Sequence, residues 1–192
     1  MDKIKLLAND PMWDQQGPTK NLYRFPLPSD TESLLAGRKL ASGIPDGQIY
    51  QIGNFVAAQS PESHIGPYKW AVDLLIPDGT PVLAGEDGKI VNVVEVYNTW
   101  GPTEEFRDQL NYLTISHKGG EYSQYCHLAP NSVSENGLKV GDKVVKGQRI
   151  ASVGKTGWTD RDHLHFIVFR TDKLLGNPFG FYSLEIRFDS EK

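Results

Sequence analysis

Short apolar runs rich in β-branched residues alternate with turn residues from about residue 52 onward. The clearest runs lie at 81–84, 89–94 and 113–116. Asp-Gly pairs at 78–79 and 87–88 precede two of these runs and favour tight turns. Several short strands at this spacing predict an all-β fold, built as an antiparallel β-sheet or sandwich.

Residues 1–52 show a different pattern, because they are irregular and rich in proline. Pro26 and Pro28 favour extended chain, and we predict no helix there. Trp13, Tyr23 and Phe25 indicate an N-terminal extension that packs on the main domain. We therefore divide the chain into this extension, a domain over 53–175 and a C-terminal tail over 176–192.

Composition and charge exclude several classes of protein. The chain has 192 residues, 39% of them hydrophobic, with a formal net charge of -4. This charge argues against a nucleic-acid partner, which would require clustered Lys and Arg. No apolar run approaches the roughly 18 residues of a transmembrane helix, and the N-terminus lacks the apolar region of a secretory signal. The single cysteine, Cys126, rules out an internal disulfide.

Two histidines stand out in the apolar run 163–169. If this run is a strand, His163 and His165 share a face and lie about 7 Å apart. One of them could bind a metal while the other reaches a substrate beside it. The alternative is that both are unrelated polar residues on a solvent-facing edge.

Three further polar residues lie in or near predicted strands. Asp73 sits inside an apolar run and needs a partner or a metal, while His64 lies nine residues before it. His127 follows Cys126 in another strand-like segment. Because neighbouring strand residues face opposite sides, Cys126 should not share a site with His127, and we predict it to be a small core residue.

The five residues together use four of the five histidines and one buried-looking acid. Two neutral imidazoles and one carboxylate form a ligand set that suits zinc and leaves one coordination position open. The sequence therefore predicts a zinc site in a β domain, although spacing alone does not say which histidines are ligands.

The ordered motifs over about residues 55–170 resemble the lysostaphin-type (LytM-like) zinc endopeptidases, which cut peptides of bacterial cell walls. The series is more specific than any one of its motifs. It consists of Ala-Val-Asp at 71–73, Asp-Gly-Thr-Pro-Val-Leu-Ala at 78–84, Asp-Gly-Lys-Ile-Val at 87–91, Tyr-Cys-His-Leu at 125–128, Val-Gly-Asp-Lys-Val-Val-Lys-Gly-Gln at 140–148, Val-Gly-Lys-Thr-Gly at 153–157 and His-Leu-His-Phe at 163–166.

The resemblance implies a role for each site residue and a fold. It implies that His64, Asp73 and His165 bind Zn²⁺ and that His127 and His163 are catalytic. It also implies the family's fold, a duplicated hybrid resembling a barrel-sandwich, with the zinc on the floor of a groove.

One spacing departs from the family pattern. The family's first ligand lies four residues before the aspartate, but that position is Lys69 here. His64 can serve only if residues 65–70 bulge out and return its imidazole to the metal. His117 lies at a predicted hairpin turn, and we expect it on the surface rather than as a substitute ligand.

The resemblance implies a zinc-dependent endopeptidase that hydrolyses peptide bonds in peptidoglycan stem peptides or cross-bridges. It also implies a periplasmic or extracellular location. A catalytically inactive LytM-like binding or activator module is the main alternative, favoured by the unusual His64 spacing. The stretch at 140–148 also suggests a lipoyl or biotinyl carrier, but this alternative is disfavoured, because no Lys lies in the sequence context that such carriers modify and a carrier has no use for the two histidines at 163 and 165.

Overall fold

Strands dominate the computed structural model, which describes residues 10–29, 31–171, 177 and 179–189. In chain order the strands are β1 Ile49–Ile52, β2 Phe55–Ala58, β3 Val72–Leu74, β4 Pro81–Leu83, β5 Gly88–Val94, β6 Trp100–Gly101, β7 Tyr112–Ser116, β8 Tyr122–Cys126, β9 Lys143–Val144, β10 Arg149–Ser152, β11 Gly157–Trp158, β12 Leu164–Thr171 and β13 Phe181–Ser183. Nine of them form one large sheet in the order β1-β2-β3-β12-β8-β7-β5-β9, with β13 paired to β12. Two small pairs, β4 with β10 and β6 with β11, lie outside it.

The prediction of a mostly antiparallel β fold is confirmed. Every pair within the large sheet is antiparallel, and the runs at 81–84, 89–94 and 113–116 correspond to β4, β5 and β7. The described helices are few and short: α1 Thr31–Leu40, α2 Ser132–Glu135 and the 3-10 turns Pro11–Asp14, Gly66–Tyr68, Glu104–Phe106 and Lys118–Gly120. Within the described part of the chain, none is long and apolar enough to cross a membrane.

The prediction that residues 1–52 contain no helix is wrong, because α1 lies there. Its sequence has helix formers at most positions. Glu32 lies in the first turn and Arg38 and Lys39 in the last, where their charges interact favourably with the helix dipole. The extended preference of the prolines applies only to the segment before α1. The domain boundary at 52/53 stays a prediction, and the boundary at 175/176 lies outside the described residues.

The large sheet has two faces with different chemistry. On one face, Leu74, Tyr125 and Phe166 are fully buried in the main hydrophobic core, and we call this the core face. Their strand neighbours Asp73 and His165 are paired across β3 and β12 and point to the opposite side, which we call the groove face. The functional chemistry is thus separated from the core by one layer of backbone.

Two described segments, at 18–24 and 185–189, run together across the core face. Tyr23 N donates to Arg187 O at 2.9 Å, and Arg24 N donates to Gly85 O at 2.8 Å. Tyr23 and Leu27 are fully buried in the main core. The described part of the extension is therefore an integral layer of the fold.

Candidate metal centre

Asp73 and His165 form the centre of a row of residues on the groove face. They are direct partners in the β3–β12 register, and His165 is in turn the partner of Cys126 on β8. Register partners on antiparallel strands share a face and lie close together. His165 Nδ1 lies 2.7 Å from Asp73 Oδ1. The sheet register alone therefore places these two groups within reach of one ion.

His64 reaches the same point from outside the sheet. Residues 65–70 contain the 3-10 turn Gly66–Tyr68, which Gly66 enters with φ +58, a conformation that favours glycine. His64 Nε2 lies 3.1 Å from Asp73 Oδ2, and its side chain is completely buried. The structure thus brings His64 to Asp73 in spite of the long spacing.

The three side chains that meet at Asp73 fit the donor set of a zinc site. His64, Asp73 and His165 each offer one ligand atom, and these atoms lie within 4.8 Å of one another. Both ring nitrogens of His64 are buried; in the described residues its Nδ1 has no hydrogen-bond partner, and the polar neighbour of its Nε2 is the Asp73 carboxylate, at 3.1 Å. Buried polar atoms are nearly always paired, so an unpaired imidazole nitrogen indicates a partner of another kind, such as a metal. Metal binding by these three residues stays a prediction.

His127 lies just beyond the end of β8 and adopts φ +61. A left-handed conformation is unusual for a residue other than glycine and is found at strained functional positions. His127 Nδ1 lies 2.7 Å from the carbonyl oxygen of Thr156, and its ring centroid is 4.4 Å from that of His163. The turn in the backbone therefore directs this imidazole toward the site.

His163 precedes β12 and is held by the loop before it. Its Nδ1 lies 3.1 Å from the carbonyl oxygen of Arg161 and 3.3 Å from Thr159 Oγ1. Its Nε2 lies 3.7 Å from Asp73 Oδ1, which is beyond direct hydrogen bonding. All five residues predicted for the site thus lie together, with His127 and His163 side by side next to the three candidate ligands.

The site combines one carboxylate with several imidazoles. Burial opposes ionisation of Asp73, but attraction to His64 and His163 and hydrogen bonds from His165 and His64 hold the pKa of Asp73 well below its usual value. Burial lowers the pKa of His64, but the Asp73 carboxylate outweighs burial and raises it. Burial and the neighbouring histidines lower the pKa of His127 and of His165. Both are therefore neutral near pH 7, as ligands and proton acceptors must be.

His117 does not lie on the surface as predicted. It is buried, and its two ring nitrogens contact Asp87 O at 2.8 Å and Ser123 Oγ at 2.7 Å. Its partner Ser123 points to the core face, away from Asp73. We call the group formed by His117, Glu121, Ser123, Tyr125 and Arg170 the core-face cluster, and it contributes nothing to the metal centre.

Cys126 is buried, as predicted for a small core residue, but it lies outside the main hydrophobic cluster. It is the register partner of His165 and so lies on the groove face, where its Sγ lies 3.6 Å from Gln124 Oε1. Burial, with the Asp73 charge, raises the pKa of its thiol. The alternation rule failed because His127 leaves the strand conformation, which allows both neighbours to face the site.

The residues that hold the catalytic candidates escaped the sequence reasoning. The carbonyl of Thr156 orients His127, and the loop residues Thr159 and Arg161 orient His163. The Gly-Lys-Thr-Gly motif was a signal for Thr156, since its side chain also binds Leu128 O beside His127. Arg161 acts on His163 through a backbone carbonyl, which no side-chain pattern reveals.

Comparison with known proteins places this geometry in a family. The family model described as peptidase family M23 matches residues 67–177, which include Asp73, His127, His163 and His165. His64 lies just outside the matched range, in agreement with its unusual spacing.

Two curated relatives illustrate the similarity. An uncharacterized metalloprotease of Haemophilus influenzae is 30% identical over 162 residues, which are 83% of this chain and 27% of that protein. The peptidoglycan DD-endopeptidase ShyB of Vibrio cholerae is 36% identical over 96 residues, which are 50% of this chain and 19% of that protein. The chain therefore spans about a quarter or less of the length of these relatives.

A solved structure of a zinc containing peptidase from Vibrio cholerae is also similar. It is 29% identical with a TM-score of 0.43, and the match covers 64% of this chain and 34% of that one.

Proposed function

Because this chain belongs to peptidase family M23, we propose that it is a zinc-dependent endopeptidase that hydrolyses peptide bonds in peptidoglycan stem peptides or cross-bridges. The observation that carries this proposal is the convergence of His64, Asp73 and His165 around one point. Two imidazoles and a carboxylate are the protein ligands found in catalytic zinc sites that keep an open position. In the described residues the buried Nδ1 of His64 has no hydrogen-bond partner, and its Nε2 lies 3.1 Å from the Asp73 carboxylate, which supports a bound cation at this point.

His127 and His163 are the catalytic residues in this proposal, and their hydrogen bonds fix their tautomers. A ring nitrogen that contacts a carbonyl oxygen must carry the hydrogen, because a carbonyl only accepts. Nδ1 of His127 therefore donates to Thr156 O, and Nδ1 of His163 donates to Arg161 O. In each neutral ring Nε2 then keeps its lone pair and can accept a proton from the attacking water or, once protonated, donate to the developing oxyanion.

Zinc, when bound, supplies a Lewis acid that polarises a carbonyl and lowers the pKa of water. The residues around it bind and orient the reacting groups. The rings of His127 and His163 lie 4.4 Å apart between centroids, and a charge on His163 would oppose protonation of His127. One of them can therefore act as the acceptor while the other donates a hydrogen bond.

The substrate class and the location rest on the relatives. ShyB, which is similar over half of this chain, is a peptidoglycan DD-endopeptidase. A glycyl-glycine endopeptidase of Staphylococcus capitis is 35% identical over 53% of this chain. We therefore propose peptidoglycan peptides as the substrate and a periplasmic or extracellular site of action.

Incubation of the zinc-loaded chain with purified sacculi and with short Gly- or D-Ala-containing cross-bridge peptides tests the proposal. New amines should be released, a chelator should stop the reaction, and added zinc should restore it. If a chain with stoichiometric zinc releases no amines from any of these substrates, the proposal fails. The binding or activator module then becomes the better interpretation.

A further inference from the structure

The two ends of the groove face differ in what covers them. The row of register partners that contains Asp73 and His165 continues through Ala58 to Ile49 on one side. On the other side it continues through Cys126 to Tyr112. Near Tyr112 the face carries polar, partly exposed side chains, among them Asn92, whose Nδ2 donates to Tyr112 Oη at 3.2 Å. At this end Asn92 on β5 is exposed and Tyr112 on β7 is partly exposed, whereas Thr114 beside them is buried.

The opposite end is covered by α1 and the chain that follows it. A second hydrophobic cluster lies there on the groove face, formed by Val56, Ala58, Leu75 and, from α1 and its surroundings, Leu34, Leu40, Ala41, Ile44 and Ile49. Gly37 permits a very close approach, because a Cβ at this position would lie 2.7 Å from Leu75 O and 3.0 Å from Val56 Cβ. Leu75 is two residues from Asp73 on the same face, so α1 packs directly beside the candidate metal centre.

Arg161 connects α1 and the chain that follows it, which we call the cover, to the loop that carries His163. Its Nη1 donates to Leu40 O at 3.3 Å and to Ser42 O at 3.4 Å, near the end of α1. Its Nε and Nη2 donate to the two carboxylate oxygens of Asp160, at 2.8 and 2.7 Å. The helix end and the catalytic loop are thus joined across the end of the groove.

A pocket of about 190 Å³ remains between the cover and the site. Its walls include Asp73 and His163 of the candidate centre, with small residues such as Gly43, Ala58 and Ser60. Sites for drug-sized ligands are typically ~300–1,000 Å³. The pocket is therefore small, and because Asp160 neutralises Arg161, it offers no free positive charge to a carboxylate.

We propose that α1 and residues 41–48 close one end of the groove, leaving a terminal subsite that accepts one small, uncharged residue such as glycine or alanine. The substrate then has an extended peptide only on the other side of the scissile bond and turns away after one residue on the closed side. This inference rests on the proposed function and specifies the peptide class for the same site. Arg161 is a positioning residue in it, since its guanidinium holds the cover.

Two series of zinc-binding probes test the asymmetry without requiring cleavage. Glycine oligomers of one to four residues with a carboxyl-terminal hydroxamate extend from the metal in one direction. The same oligomers with an amino-terminal mercaptoacetyl group extend in the other. Titration calorimetry with the zinc-loaded full chain should show that affinity rises with length in one series. In the other series, which we call the blocked series, affinity should stop rising after the first residue. The affinities of the longest members of the two series should therefore differ by about tenfold or more.

Variants test whether α1 and residues 41–48 are what limits binding in the blocked series. Arg161→Ala frees the helix end and should strengthen binding of the longest members of the blocked series by about tenfold, equivalent to about 1.4 kcal/mol. Arg149→Ala is the matched control, because Arg149 lies on β10 outside the large sheet, and it should change neither series. Ser60→Phe fills the pocket and should weaken even the one-residue member of the blocked series while sparing the open series. Zinc content and thermal unfolding confirm that each variant remains folded and loaded.

The outcomes separate this inference from the proposed function. Equal gains with length in both series, or unchanged profiles in both Arg161→Ala and Ser60→Phe, would overturn the closed subsite and leave the zinc peptidase standing. A wild-type chain that holds no zinc and binds neither series overturns the proposed function, and the subsite with it.

Discussion

Two polar clusters lie on opposite faces of the same sheet, and each contains a buried carboxylate and at least one buried histidine. In the core-face cluster, Glu121 accepts hydrogen bonds from Lys20 N at 2.6 Å and Arg170 Nη2 at 2.7 Å. Both ring nitrogens of His117 have partners there as well. On the groove face, Nδ1 of His64 has no hydrogen-bond partner in the described residues, and Nε2 lies 3.1 Å from the Asp73 carboxylate. Burial of polar groups is common to both, so only the unused bonding capacity distinguishes the metal centre.

The two carboxylates are also ionised for different reasons. Burial opposes ionisation of Glu121, but backbone N–H groups and Arg170 lower its pKa, and these groups keep their dipoles or charge at every ordinary pH. Asp73 depends instead on attraction from His64 and His163 and on hydrogen bonds from His165 and His64, and an imidazole carries no permanent charge. A bound cation would give Asp73 a permanent partner of the kind that Glu121 already has. The comparison therefore indicates that the core-face cluster stabilises the fold, and it supports the proposal that the groove-face site binds a cation.

The largest expected effect is loss of zinc from the groove face. Asp73→Ala and His165→Ala each remove a proposed direct ligand. Loss of an outer-shell partner typically costs 10- to 100-fold in affinity, and loss of a ligand should exceed about 100-fold. Metal analysis after dialysis against buffered zinc should give about one zinc per wild-type chain and far less for these variants.

Glu121→Gln is the matched control for this prediction, since it alters the other buried carboxylate. It should keep wild-type zinc content while it remains folded. His64→Ala tests the long spacing by itself and should also lose zinc. If His64→Ala stays fully loaded, the assignment of His64 as a ligand is wrong and the rest of the site survives.

The second effect separates catalysis from metal binding within the groove-face site. His127→Ala and His163→Ala should keep zinc and fold but lose peptide cleavage by about 10²- to 10³-fold, the usual cost of one oxyanion-type donor. Steady-state rates on a cleavable cross-bridge peptide, normalised to zinc content, measure the loss. Wild-type rates in both variants would contradict the catalytic roles. Loss of zinc in either variant would make that histidine a ligand instead.

The third effect lies on the core face and concerns stability. Glu121→Ala leaves Arg170 and two backbone N–H groups without their acceptor, and breaking a buried ion pair typically costs about 3–5 kcal/mol. Because the folded state lowers the pKa of Glu121, its stabilisation is complete above the unfolded pKa of about 4.3 and is lost as pH falls through the folded value. Denaturant titrations near neutral pH should show the loss, and the difference from wild type should shrink in acid. A constant difference at all pH values would show that the carboxylate charge is not what matters.

Much of this architecture could be predicted from the sequence because its signals are local. Strands β4, β5 and β7 combine β-branched runs with Asp-Gly turns, and the polar residues inside apolar runs marked Asp73 and His165. These residues matter through the faces they occupy, and strand alternation gives that information directly. The five site residues consequently came together as the motifs suggested.

The features that the sequence did not predict depend on contacts between distant parts of the chain. Helix α1 has a glycine in its middle and a leucine, Leu35, that is 64% exposed, so its apolar positions do not mark one clear stripe. It is held by packing on Val56 and Leu75, which sequence propensity does not contain. Arg161 likewise finds its acceptors about 120 residues away, at Leu40 and Ser42. Such pairings are decided by the tertiary fold.

The smallest predicted effect concerns His117. Its position at a predicted turn did not indicate that it would be buried. Burial lowers the pKa of His117 below 6.5, although Asp87, Glu86 and Glu121 oppose this shift. As the pH falls, His117 therefore binds a proton more readily in the unfolded chain than in the folded chain. The stability due to a neutral His117 consequently falls as the pH drops below about 6.5. His117→Gln keeps part of the hydrogen bonding and should cost about 1–3 kcal/mol near pH 7.5.

The pH dependence of this variant makes the comparison between the two faces quantitative. Wild type should lose stability more steeply than His117→Gln between about pH 7 and pH 5, since glutamine does not titrate. His127, whose pKa is also lowered, contributes equally to both proteins, so the difference between their denaturation curves isolates His117. Parallel curves would mean that His117 gains its proton in the folded state and is not held neutral. Zinc content should be the same in both proteins, because the core-face cluster shares no residue with the metal centre.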